Sequence, residues 1–227
     1  MDFLTKIIFY FRKPKIIIVV GRSRIPTSEA IFKILKSRFR VKKLVEKIPS
    51  VFNDEEIFII ETDLRKNGFF KKIKNLLKFS QLPTLVVTHI GEIPQNYDSF
   101  SGRAEDAKEI EELAKIIPAY GFLILNFDDR TVRKIDELTN LKSFTFGFEE
   151  KADFRASDIH TTETGINFKI NYKGKIIPIW QEGSPTFYHK KVGEKIYSIL
   201  AASCVGIVLG LNFVEISEVL KNSSTKK

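Results

Sequence analysis

The apolar positions along the chain switch repeatedly between two periods. Lys15 to Val20 and Ile57 to Glu61 are short continuous runs rich in β-branched residues, the pattern of strands buried on both faces. Leu85 to Ile90, Phe122 to Asn126 and Ser143 to Phe148 read the same way. Between them the spacing becomes helical. Ile31, Ile34, Leu35 and Phe39 fall on one face of a helix over 27–39. Ile110, Leu113, Ala114 and Ile117 do so over 104–117, and 69–79 is a basic amphipathic helix. Asp129 is placed to cap a helix running through Leu138. This alternation predicts right-handed βαβ units, hence an α/β fold with a mainly parallel sheet flanked by helices.

After residue 148 the rhythm changes. Asp153 to His160 and Gly165 to Trp180 read as strands paired in hairpins, with Tyr172-Lys173-Gly174-Lys175 as a turn. Closing helices are predicted over 190–209 and 213–221. The charge-free run from Ile196 to Val214 has the length of a membrane span. Its Ser198, Ser203, Gly206, Gly210 and Asn212 suit a buried helix with a boundary near Gly210 instead. The expected organisation is a basic and apolar segment over 1–12, one domain over 13–221 and a frayed tail over 222–227.

Charge changes the picture at one end. The net charge is +9, yet residues 1–48 carry thirteen Lys and Arg against three Asp and Glu. The rest of the chain is close to neutral. A basic N-terminal third could meet an anionic membrane surface, a polyphosphate or nucleic acid, or form solvated helix faces. No RNP aromatics, zinc-finger spacing or GxxG loop favour nucleic acid. At the start, Phe3, Leu4, Ile7, Ile8 and Phe11 share a side with Lys6, Arg12, Lys13 and Lys15 nearby; an interfacial helix and packing onto the domain are both open. The segment lacks a signal-peptide cleavage site, and the one cysteine, Cys204, lies in an apolar run, so a cytoplasmic setting is expected, with membrane association as the alternative.

Strand, glycine, polar turn and helix start follow one another in IIVVGRSRIPTSEA, residues 17–30. A phosphate-binding loop sits at such a place. Gly21 supplies the tight turn. No second glycine follows, no lysine is present, and Pro26 lacks an N–H. Arg22 or Arg24 could supply charge, though a guanidinium does not replace an ammonium directly. His89, His160 and His189 show no metal spacing, and no Gly-x-Ser-x-Gly is present.

Four stretches in order carry a resemblance. They are Lys13-Pro14-Lys15-Ile16-Ile17 with Gly21, GFLILNFDDRTVR over 121–133, Phe146-Gly147-Phe148 through Ala152 to Ile159, and Leu200-Ala201-Ala202 through Leu209-Gly210-Leu211 to Ile216. Together they resemble the central, ATP-binding domain of the Mur ligases. Within the family they look most like the enzyme that adds D-alanyl-D-alanine to the UDP-muramoyl-tripeptide. The resemblance implies ATP and Mg as cofactors. It implies nucleotide-binding roles for Gly21, Ser23, Arg24, Thr27, Ser28, Asn126 and Asp129, and a metal-side carboxylate at Glu61. Lys108 matches the lysine that is carbamylated in the family. Three of these have a plainer alternative: Asp129 as a helix cap, Lys108 as a surface lysine, Glu61 as a solvated strand end. Thr27 or Ser28 would supply the metal-binding hydroxyl. Pro94 stands where the family has a metal-binding histidine, and Glu194, Lys195 and Ser198 stand where it has His and Asn.

The family enzymes have three domains, and this chain has room for the central one, shortened between Phe39 and Ile57. The expectation is a catalytically degenerate central domain that acts by binding a cell-wall synthesis partner or an anionic ligand. The rival is an ATP-dependent ligase component completed by separately encoded domains. A third reading is a membrane or nucleic-acid binder using residues 1–48.

Overall fold

The computed structural model describes residues 3–50, 53–64, 69–162, 165–182 and 189–221, with the side chains of 3–6, 181, 182, 189–191 and 221 outside that description. The predicted tail over 222–227 lies outside the described residues. Nine strands form one sheet in the order β2-β3-β1-β4-β5-β6-β7-β8-β9. The strands are β1 (Lys15–Val20), β2 (Val41–Val45), β3 (Ile57–Glu61), β4 (Thr84–Val87), β5 (Phe122–Asn126), β6 (Lys142–Gly147), β7 (Phe154–Thr162), β8 (Gly165–Tyr172) and β9 (Lys175–Glu182). Pairing is parallel from β2 to β7 and antiparallel from β7 to β9. The helices are α1 (Phe3–Arg12), α2 (Arg24–Lys36), α3 (Phe69–Leu77), α4 (Ala104–Lys115), α5 (Arg130–Glu137), α6 (His189–Val208) and α7 (Phe213–Lys221). The expected fold class is the one observed.

Strand parity builds two cores. Ile17 and Val19 of β1 face α2 and α6, whose Ile31, Ile34, Ile196 and Leu200 complete one layer. Ile16, Ile18 and Val20 point the other way, onto α3, α4 and α5. Both faces are thus dry, which is why these strands lack polar alternation. A small residue lets α6 lie close to α2 and α7. A side-chain carbon added at Gly206 would come 3.0 Å from Ile216 and 3.4 Å from Ile34. The β8–β9 turn has positive φ at Lys173 (47°) and Gly174 (75°), the backbone that a two-residue hairpin turn needs.

Several boundaries differ from the sequence reading. Strand β2 was not anticipated: Val41-Lys42-Lys43-Leu44-Val45 has no alternation, and it is a half-buried edge strand whose lysines blunt the edge. Helix α2 begins at Arg24, three residues earlier than the spacing suggested, because Pro26 is tolerated in a first turn where its missing N–H has no bond to make. Strand β4 stops at Val87, because the chain from Thr88 turns into the crevice described below.

In the N-terminal segment, packing onto the domain, one of the two open readings, is the one observed, though through a different residue. Helix α1 packs onto the domain through Phe9, which is 3% exposed and 6.2 Å from the Phe58 ring. Phe11, which the helical spacing puts on the apolar side, is 77% exposed. Within the described residues no helix is long and apolar enough to cross a membrane, and α6 is a core helix.

Candidate functional site

The connection leaving β1 passes to the α2 face of the sheet, whereas those leaving β3 and β4 pass to the α3–α4 face. Divergent connections open a crevice at the carboxyl ends of adjacent strands, the usual place for a ligand in such sheets. A cavity of about 420 Å³ lies there. Its walls are Gly21, Arg22 and Arg24 after β1, Thr62, Asp63 and Leu64 after β3, and the segment from His89 to Ile93 after β4. Asp106, Glu109 and Ile110 of α4 and Glu194 of α6 close it.

The loop after β1 is held tightly against the end of β4. Gly21 adopts φ 101°, a left-handed conformation that favours glycine. A side chain there would come 2.3 Å from Thr88 Oγ1 and 2.9 Å from the His89 carbonyl. That close approach has a consequence for the amides. Arg22 N–H donates to the His89 carbonyl at 2.9 Å, and Ser23 N–H donates to Thr88 Oγ1 at 3.2 Å. These are groups that a phosphate-cradling loop would turn toward its ligand.

Ser23 and His89 were not paired in the sequence reading. His89 Nδ1 lies 2.7 Å from the Gly91 carbonyl, which can only accept, so Nδ1 carries the proton. Nε2 of the neutral ring then accepts from Ser23 Oγ at 2.6 Å. Burial lowers the His89 pKa from its ordinary value, in keeping with a neutral ring. Ser23 and His89 are 1% and 3% exposed, so the pair acts as a buried clasp across the loop.

The residues expected at a magnesium ion are also bonded to protein. Ser28 Oγ donates to Glu61 Oε2 at 2.7 Å, and Lys43 Nζ of β2 lies 3.8 Å from the same oxygen. Thr27 Oγ1 lies 3.1 Å from Ser198 Oγ of α6. Thr27, Ser28 and Glu61 are all buried. They are neighbours beneath the loop, on the α2 side of the sheet, and do not line the cavity. Among the described residues no three His, Cys, Asp or Glu side chains converge to hold a metal ion.

The other sequence-derived positions fall in different places. Arg24 lines the cavity, and its Nη1 donates back to the Gly21 carbonyl at 3.3 Å. Lys108 is exposed on α4 and does not line the cavity that Asp106, Glu109 and Ile110 line. Asp129 is fully buried and serves as a staple. Its Oδ1 accepts from Thr131 N–H at 2.9 Å and Val132 N–H at 3.4 Å, capping α5. Its Oδ2 accepts from Ile90 N–H at 2.7 Å and Gly91 N–H at 2.8 Å, fixing the wall of the crevice. Asn126 Oδ1 accepts from Asp128 N–H at 3.0 Å, while its buried Nδ2 has no partner among the described residues.

Asp128 escaped the sequence reading. It is fully buried, and burial raises its pKa. It accepts from Phe148 N–H at 2.7 Å, Glu149 N–H at 3.1 Å and Tyr197 Oη–H at 2.7 Å. It therefore ties β5, β6 and α6 together. The paired aspartates of GFLILNFDDRTVR were the available signal, since a buried carboxylate needs several donors.

A triphosphate with magnesium fits this set poorly. The loop has no lysine, the amides of Arg22 and Ser23 are bonded, and the hydroxyls beneath are spent. Five carboxylates line the cavity against two guanidinium groups.

UDP-N-acetylmuramate–L-alanine ligase from Aquifex aeolicus is 25% identical over 168 residues, covering 74% of this chain and 33% of the relative. That from Persephonella marina is 28% identical over 167 residues, covering 73% and 32%. The chain thus spans about a third of the length of these curated relatives. Among solved structures, the UDP-N-acetylmuramoylalanyl-D-glutamyl-2,6-diaminopimelate–D-alanyl-D-alanyl ligase from Acinetobacter baumannii superposes with a TM-score of 0.70 at 17% identity, over 96% of this chain and 49% of that one. MurF ligase from Thermotoga maritima in complex with ADP gives 0.68 at 18%, over 94% and 51%. These structures share the fold, whereas the sequence relatives carry the name of a different ligase. The Mur ligase middle-domain model matches residues 25–182, from the first turn of α2 to the end of β9, and the chain belongs to that family.

Proposed function

We propose that this Mur ligase middle domain acts by binding, to a cell-wall synthesis partner or an anionic ligand elsewhere on its surface, and does not catalyse ATP-dependent ligation. The observation that carries the reading is the closed loop. The amides of Arg22 and Ser23 are committed to His89 and Thr88, and the Ser23–His89 bond locks them there. Opening the loop for a phosphate would break three interactions, two of them buried. An unmade buried bond costs about 1–3 kcal/mol, so the opened state is disfavoured before any ligand is paid for.

Calorimetry with ATP, with and without magnesium, tests this on the wild type and on Arg24→Ala. The expected result is no binding at millimolar ATP in either protein. Micromolar, magnesium-dependent binding that weakens in Arg24→Ala overturns it.

The family match favours a second reading, an ATP-dependent ligase component in peptidoglycan-precursor synthesis completed by other domains. Arg24 at the cavity wall is its best residue. The same calorimetry distinguishes the two. Exposed Tyr10 and Phe11 on α1, next to Arg12 and Lys13, support an anionic membrane surface as a further partner. Binding to anionic vesicles that survives neutralising Arg12 and Lys13 would remove that support.

A further inference from the structure

The crevice has the sign of a cation site. Its carboxylates come from four elements, so they are not one helix's solvated face. Two of them are already matched: Glu92 pairs with Arg22 at 3.3 Å, and Asp106 pairs with Arg103 at 3.1 Å. Glu109 and Glu194 form no ion pair among the described residues, and both line the cavity. His89 contributes no positive charge, because its ring is neutral.

A second observation is independent of charge. Thr62 continues the ladder beyond β3, its N–H donating to the Val19 carbonyl at 3.2 Å. It keeps the parity of Phe58 and Ile60, which face α3 and α4, and so turns its side chain toward the cavity side of the sheet. Thr62 lines the cavity and is 1% exposed, and its Oγ1 has no hydrogen-bond partner among the described residues. A buried hydroxyl without a partner costs free energy, and a ligand donor or acceptor at the cavity would recover it.

We propose that the crevice binds an aliphatic diammonium ion. Glu109 and Glu194 hold the charged ends, Thr62 Oγ1 accepts a further ammonium hydrogen, and Ile90, Ile93 and Leu64 cover the methylene chain. An extended ligand suits the site better than a metal ion, because among the described residues no three such side chains converge on one point. The volume, about 420 Å³, lies within the range of small-molecule sites. The overall net charge of +9 repels polyamines, so association must come from this local field. The inference rests on the reading that the crevice is not a triphosphate site.

The test is calorimetry with 1,4-diaminobutane, with 1-aminobutane and MgATP alongside, on the wild type, Thr62→Val and Glu109→Gln/Glu194→Gln. The expected result is saturable one-site binding of the diamine, about tenfold tighter than the monoamine and about tenfold weaker in the double variant. Thr62→Val weakens it severalfold without lowering the unfolding midpoint, since the hydroxyl it removes has no partner among the described residues. No diamine binding at millimolar concentration, equal affinity for the two amines, or binding untouched by the double variant overturns the inference. If MgATP also fails to bind, the closed-loop reading survives that loss. Micromolar MgATP binding overturns both.

Discussion

Removing the Asp129 carboxylate should destabilise the fold whether or not a nucleotide ever binds. Its two oxygens accept four backbone N–H groups, two capping α5 and two holding the chain after β4. A cap of this kind is worth about 1 kcal/mol. Each bond to a charged acceptor is worth about 1.5–3 kcal/mol. In Asp129→Ala the amides of Ile90 and Gly91 would be left facing a buried void. With partial relaxation the total loss comes to about 3–5 kcal/mol. For a domain of this size that lowers Tm by about 6–20 °C. Asp129→Asn keeps one acceptor oxygen but turns an NH₂ toward two donors, so about half the loss is expected. Urea unfolding followed by fluorescence, with Tm from calorimetry, measures both variants. A loss below about 1 kcal/mol in Asp129→Ala would refute the staple, and with it the view that this aspartate is explained by the fold.

Gly21→Ala meets both a left-handed φ of 101° and a contact of 2.3 Å with Thr88 Oγ1, so a stability loss of about 1–3 kcal/mol is expected by urea unfolding, and an unchanged midpoint would contradict the packed loop. Tyr197→Phe deletes a donor to Asp128, whose folded pKa burial already raises above the ordinary 3.8. A raised carboxylate pKa means that stability is greatest below the unfolded value and is lost as pH climbs through the folded one. Losing the donor raises that pKa further, so the variant's deficit, about 1–3 kcal/mol near neutrality, should shrink as pH falls toward about 4; a deficit independent of pH would refute it.

Burial on both faces made much of this fold legible. Strands β1, β3 and β5 coincide with their apolar runs because nothing polar interrupts them. Asp129 was readable as a cap because capping is local, a matter of two or three residues. The second half of its role was not, because Ile90 and Gly91 lie nearly forty residues away and a carboxylate does not announce its distant donors. The same limit hid Ser23–His89, 66 residues apart, and Asp128–Tyr197, 69 apart. On α1, helical spacing gave an apolar stripe, but among the described side chains Phe9 is buried beside Phe58 while Phe11 is exposed, so packing overrode the pattern. The missing lysine and second glycine could be read directly. That the remaining amides are bonded to the end of β4 required the sheet order, which sets β1 beside β4.

The single cysteine of the chain is also a reporter. Cys204 is fully buried in the layer between α6 and the sheet, and burial holds its thiol well above the usual range. Only the thiolate reacts with alkylating or disulfide reagents. Its modification rate in the native protein therefore counts the moments when α6 lifts from β5, β6 and β7, with no engineered label and no background from other thiols. Because α6 also contributes Glu194 to the crevice and Tyr197 to Asp128, a ligand seated there should slow that rate, so one chromogenic thiol assay can screen for occupants of the site while it measures the opening of this half of the domain.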